Sequence, residues 1–204
     1  MVKRKAGMRL NILVIDIGTT STRGILYDER GSELAMHSVS TPLITDADTG
    51  YMEQSPDTYR ACITEIAKAI AEAGAVDAVS VTAYRSAPTL VDKEGRALTN
   101  FIMWQDTRNS GICQRLAPES DLIYRRSGER LNTVFTASKL TWFRENMPEV
   151  WRRAWKAMIV PDYVIHLMTG IAWGHYQDYL YGKWDGREHW DEAQTDRLDR
   201  KSVV

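Results

Sequence analysis

A short polar turn between two apolar runs restricts this chain more than any other feature. Leu10-Asn11-Ile12-Leu13-Val14-Ile15 reads as a strand and Gly24-Ile25-Leu26-Tyr27-Asp28 as a second one. Between them stands Asp16-Ile17-Gly18-Thr19-Thr20-Ser21-Thr22-Arg23. A strand–turn–strand with a carboxylate at its entry and hydroxyl residues at its tip is suited to holding phosphates. Gly18 lets the backbone approach closely, and the amides of such a turn form an anion nest. Thr19, Thr20 and Ser21 add hydroxyl donors, and Arg23 adds a fixed positive charge. Asp16 can reach a phosphate-bound Mg²⁺ directly or through its waters, because that ion favours carboxylate plus water.

The rest of the chain alternates strand and helix signals. Residues 10–40 read as three strands, with the turn Asp28-Glu29-Arg30-Gly31 between the second and third, which gives an antiparallel start to a sheet. Residues 41–54 read as a loop. Ser55 as N-cap and Pro56 at the first helical position open a helix carrying Tyr59, Ile63, Ile66, Ala67 and Ile70, ended by Gly74. Val76 to Val81 reads as a buried strand, followed by strands at 89–91 and 101–103. From Asp106 onward the pattern is mostly helical. Thr136 is placed as the cap of one helix, and Pro148 opens another. A short strand at 157–160 precedes a last helix with Asp162 as its cap and Gly170 at its end.

Several segments then join the first turn in a fixed order. Met52-Glu53-Gln54-Ser55-Pro56 precedes a helix, Tyr84-Arg85-Ser86 follows a strand, and Trp104-Gln105-Asp106-Thr107-Arg108 ends another. Val160-Pro161-Asp162-Tyr163 and Leu167-Met168-Thr169-Gly170 come last. Each is weak alone; five in register resemble the N-terminal domain of the FGGY carbohydrate kinases, from about Leu10 to Gly170. The resemblance implies an α/β, ribonuclease-H-like domain of the actin/Hsp70/sugar-kinase superfamily, a mixed sheet with antiparallel first three strands flanked by helices. It also implies transfer of the γ-phosphate of ATP to a sugar or polyol hydroxyl, with Mg²⁺. Residues 1–9 are then a tail and 10–204 the N-terminal kinase domain, incomplete at its C-terminal end and lacking the second domain.

Carried over residue by residue, the resemblance assigns nucleotide contacts to Asp16, Gly18, Thr19, Thr20, Ser21 and Arg23, with Asp16 near the metal. Arg85 falls where glycerol kinases place a substrate-binding arginine. Ser86 stands where their glutamate follows it, and Val134 where they carry a tyrosine. Both departures argue against glycerol, and Arg85-Ser86-Ala87 in place of Met-His-Gly argues against xylulose. Trp104 matches a family tryptophan that forms an apolar wall against sugar carbons, a face on which C–H groups stack. Asp106 and Arg108 are expected to pair and fix their loop.

The base for the attacking hydroxyl is missing. The family uses an aspartate in a Gly-Asp segment, and no Gly-Asp dipeptide occurs here. Neither Asp162 nor Asp178 is a sound substitute, so no catalytic residue is assigned and the chain alone is expected to be inactive. A non-catalytic module that binds sugar or a partner is the alternative. Another superfamily ATPase, of the dehydratase-activator type, shares Asp-Ile-Gly-Thr-Thr but not the 52–56 and 104–108 motifs. A homo-oligomer and a separate chain supplying the missing half stay open as partners.

Charge and composition exclude other classes. The formal net charge of −1 gives no electrostatic case for nucleic acid or an acidic membrane. No apolar run approaches the roughly 20 residues of a membrane span. Cys62 and Cys113 share no metal-like spacing, and a reducing, cytoplasmic setting is expected.

Overall fold

The computed structural model describes residues 10–170. The expectations for the 1–9 tail and for 171–204, Asp178 included, lie outside the described residues. The apolar alternation at the start folds as read. Strand β1 (Ile12–Ile17) turns into β2 (Ser21–Tyr27), which pairs antiparallel with β1 and then with β3 (Glu33–Ser40). The turn before β3 is an Asx turn: Asp28 Oδ1 accepts from the amides of Arg30 and Ser32, both at 2.8 Å.

Period-2 alternation gives this sheet one apolar face. Leu13, Ile15, Ile17 and Leu26 are buried, and helix α1 (Pro56–Ala73) covers that face with Tyr59, Cys62, Ile66 and Ile70. The helix starts as expected: the amide of Asp57 donates to the Ser55 hydroxyl, and Pro56 occupies the first turn. Gly24 sets how closely it lies, because a Cβ there would sit 2.2 Å from Ile66 Cγ2. Gly24→Ala is therefore expected to destabilise the domain by about 1–3 kcal/mol through overpacking. Urea unfolding reads this directly; an unchanged midpoint would mean that α1 does not rest on Gly24.

The 41–54 loop contains two strands that sequence reading missed, β4 (Ile44–Thr45) and β5 (Met52–Gln54). The turn between them is held by Asp46 Oδ1, which accepts from the amides of Asp48 and Thr49, and by Gly50 at φ 70. After α1 comes β6 (Ala78–Ala83), parallel to β1, so the main sheet is mixed, in the order β3-β2-β1-β6. The 76–81 segment is not the buried strand expected. It begins two residues later, and Val76 and Val79 are 39% and 44% exposed. The cause is its place at the end of the sheet, where among the described residues only β1 pairs with it.

The later strands also depart from a single sheet. Strand β7 (Pro88–Val91) pairs with β9 (Lys156–Ile159), and β8 (Phe101–Ile102) pairs with β5. Helices α2 (Ser110–Arg115), α3 (Ser120–Ser127), α4 (Thr136–Asn146) and α5 (Pro148–Arg153) lie between β8 and β9 in sequence, and α6 (Val160–Thr169) follows β9. Two expected caps are not caps. Thr136 is the first residue of α4, one step past the N-cap Phe135, and Asp162 is the third of α6, three steps past the N-cap Ile159, and neither helix has a side-chain cap at its N-cap position. Gly170 does end α6, at φ 69. The core gathers where the sheets meet: Phe101 packs edge-on against Tyr59 at 5.3 Å and Tyr163 at 5.5 Å between ring centroids.

Candidate functional site: a hydroxyl loop beside Arg85 and Trp104

The β1–β2 turn is tight and tied down by its own carbonyls. The Gly18 amide donates to Ser21 O at 2.8 Å, and a Cβ on Gly18 would lie 3.1 Å from that oxygen. Thr20 O accepts from the Thr41 amide at 2.9 Å, and Thr19 O accepts from Gln54 Nε2 at 2.8 Å. The Thr20 side chain is exposed, while Thr19 and Ser21 are half-buried. Thr22 is buried on the core side and takes no part. Asp16 and Arg23 are register partners across the hairpin, on the face away from α1. Asp16 is half-buried, Arg23 is exposed, and neither makes an ion pair among the described residues. A carboxylate without a partner beside an oxygen-rich loop is the donor chemistry that a hard divalent cation prefers.

Sheet topology brings the second group of residues to the same end. Because β6 runs parallel to β1 with Ile17 opposite Ala83, Arg85 emerges two residues beyond, level with the turn. It is exposed and unpaired by any acid among the described residues. Trp104 arrives from β8 in the small sheet, not from the main sheet as read, yet it reaches the same place. Its Nε1 donates to Thr19 Oγ1 at 3.4 Å, and 39% of its surface is exposed. It stands at the rim of the turn and is not a core residue.

Ser86 adopts the left-handed conformation, φ 69, the only non-glycine among the described residues to do so. Such a backbone costs of order 1–3 kcal/mol and needs an external hold. Lys139 supplies it. The side chain of this lysine is fully buried and its ammonium donates to Ser86 O at 2.8 Å, Met103 O at 2.7 Å and Val134 O at 3.1 Å. Val134 is also held by its amide, which donates to Asn132 Oδ1 at 2.8 Å. Burial pushes Lys139 down to about 7, with Asp106 holding it up and Arg108 pressing it further down.

Two further clusters brace the site. Asp106 and Arg108 pair as expected, at 2.7 Å between Nη2 and Oδ2 and 2.9 Å between Nε and Oδ1. Arg108 also holds Glu53 at 2.8 Å and lies over the Tyr51 ring at 3.7 Å, while Asp106 Oδ2 accepts from the Met52 amide at 2.7 Å. Buried Gln54 is the second brace. Its amide nitrogen donates to Thr19 O and Thr41 O, and its Oε1 accepts from the hydroxyls of Tyr59 and Tyr84. Burial pushes the Tyr84 phenol up to about 12 and Tyr59 higher still, so both stay protonated donors.

Sequence reading quoted Gln54 without a role and missed Lys139. The signal for the lysine was its position. Thr136, Lys139, Leu140 and Phe143 form the buried stripe of α4, and a lysine on such a stripe needs acceptors.

Comparison with known proteins accords with this geometry. Residues 11–180 match the family described as "FGGY family of carbohydrate kinases, N-terminal domain". A xylulose kinase from Bacillus subtilis (strain 168) is 29% identical over 82% of this chain and 34% of its own length. A glycerol kinase from Marinomonas sp. (strain MWYL1) is 33% identical over 67% of this chain and 29% of its own. The chain thus spans about a third of the curated relatives it matches. Among solved structures, a ligand-bound xylulose kinase from Lactobacillus acidophilus superposes with a TM-score of 0.75 at 26% identity, covering 93% of this chain and 40% of that one. Plasmodium falciparum glycerol kinase with ADP gives a TM-score of 0.69 at 21% identity, covering 93% and 40%, a likeness of fold. A hairpin with a hydroxyl loop, a parallel return strand and a match over most of the sequence lead to one assignment: the chain belongs to the FGGY family of carbohydrate kinases, and the matched residues are its N-terminal domain.

Proposed function

We propose that this chain is the sugar-binding side of an ATP-dependent carbohydrate kinase. The observation that carries the reading is the bond from Trp104 to Thr19, which joins the sugar wall to the phosphate loop in one rim. Gly18, Thr19, Thr20, Ser21 and Arg23 hold phosphate oxygens of ATP, and Asp16 faces the accompanying Mg²⁺, which supplies charge neutralisation. Arg85 donates to adjacent hydroxyls or a carbonyl of the sugar in a rigid fork. Trp104 backs its C–H face, while Ser86 and Val134 leave room where a larger acidic or phenolic side chain would stand. Phosphoryl transfer is mostly positioning and electrostatics, and these residues provide both.

They do not provide a base. Of the carboxylates around the pocket, Glu53 and Asp106 are committed to Arg108, and Asp16 belongs to the phosphate side. The same observation favours the second reading, a module that binds sugar without turning it over. The 204-residue chain is therefore expected to show no ATP-dependent phosphorylation of pentoses, ketoses or polyols in a coupled ADP-release assay. Robust turnover would show that a base is present. Arg85→Ala is expected to weaken sugar binding by about 2 kcal/mol, the usual loss for a charged hydrogen bond. Calorimetric titration with a panel of pentoses, ketoses and longer polyols checks this, and an unchanged affinity for the sugar that binds would remove Arg85 from the pocket.

A further inference from the structure

The segments that carry Arg85 and Trp104 are far apart in sequence from each other and from the one that carries Val134. Arg85 makes no ion pair among the described residues, the Trp104 indole makes one long 3.4 Å bond, and Ser86 sits in a strained conformation. One atom touches all three. Lys139 Nζ is bonded to carbonyls 53, 36 and 5 residues away in the sequence. Three N–H donors meet three carbonyl acceptors, so the ammonium is saturated and has none left for a ligand.

We propose that Lys139 is the positioning residue of the sugar pocket, a single ammonium whose bonds to Ser86 O, Met103 O and Val134 O fix Arg85, Trp104 and Val134 relative to one another. The inference rests on the reading that those residues form the sugar side. It makes a second statement about protonation. A neutral amine has two N–H donors, so loss of the proton leaves one of the three carbonyls without a partner. The charged groups facing Lys139 are Asp106 and Arg108, the latter paired in turn with Glu53. Tyr84, bonded to Met103 Sδ at 3.7 Å, stays neutral over the same range. As pH rises through about 7, the three segments loosen together.

Amide NMR of the whole chain tests this. A hydrogen bond to a carbonyl polarises its own peptide group, whose N–H belongs to the next residue, so the amides of Ala87, Trp104 and Phe135 report the three bonds. With ¹³C-labelled lysine, the Lys139 side chain and these three amides are expected to titrate with one shared midpoint near 7. Separate midpoints, silent amides, or a Lys139 signal that does not titrate below about pH 9 would overturn the proposal. In Lys139→Met, exchange of amides at 86–88, 103–105 and 133–136 is expected to accelerate about tenfold or more, the loss of one charge-assisted bond. Amides of β1 and α1 should hold. Loosening confined to α4, or uniform across the domain, would contradict it. Should Lys139→Met fail to fold, the wild-type titration alone decides. Sugar binding is read separately with a panel of pentoses, ketoses and longer polyols, so a failed sugar reading is distinguishable from a failed anchor.

Discussion

Replacing Asp106 with alanine is expected to lower stability by about 3–5 kcal/mol, the cost of stranding a buried charge. The Asp106 side chain is fully buried and that of Arg108 is only 3% exposed. Removing the carboxylate leaves the guanidinium with Glu53 alone and the Met52 amide without its acceptor. The stack on Tyr51 and Trp142 keeps Arg108 in place, which places the loss near the lower end. Urea unfolding of the variant measures it. A loss within about 0.5 kcal/mol, the size of an ordinary surface change, would mean that Arg108 escapes to water and that the cluster is not structural.

The second large effect is a pH dependence. Lys139 titrates at about 7 in the folded chain, well below the roughly 10.4 of an unfolded lysine. Between those values the unfolded chain binds the extra proton, so stability rises with pH across this window. The limiting slope for one proton is about 1.4 kcal/mol per pH unit. Below pH 7 both states are protonated and the slope vanishes. Cys62, whose thiol burial pushes up, tilts the curve the other way at its alkaline end, so the comparison is with Lys139→Met. The difference between the two proteins at pH 7, 8 and 9 isolates the lysine. Parallel curves would show that Lys139 keeps its proton throughout. The same proton that costs stability holds the pocket segments together, so rigidity of the site and stability of the domain move in opposite directions above pH 7.

What the sequence makes legible follows from how local each determinant is. The β1–β2 hairpin could be read because alternation and turn chemistry lie within one short window. Helix α1 could be read because Ser55 and Pro56 announce it. Strands β4 and β5 could not, being two and three residues long with no room for a period. The exposure of β6 could not either: Val79 looks like a core residue, and only the order of strands places it at an end. In the candidate site, motif order placed Arg85 and Trp104 at the same end as the turn, where they lie, although the route taken by Trp104 was not legible. Gln54 and Lys139 escaped for one shared reason. Apart from the two tyrosine hydroxyls on Gln54, their partners are backbone carbonyls, most of them in distant segments, and a carbonyl has no letter in the sequence.

The central claim is that the hydroxyl loop and the Arg85–Trp104 pocket form one site. The most direct measurement is an amide and indole NMR titration of the intact chain, first with a magnesium complex of a non-hydrolysable ATP analogue, then with a panel of pentoses, ketoses and longer polyols. The account predicts that the nucleotide shifts Gly18 to Arg23, that the sugar shifts Arg85, Ser86 and Val134, and that the Trp104 indole, bonded to Thr19, responds to both. Nucleotide and sugar shifts on opposite ends of the sheet, with the Trp104 indole silent to each, would contradict it.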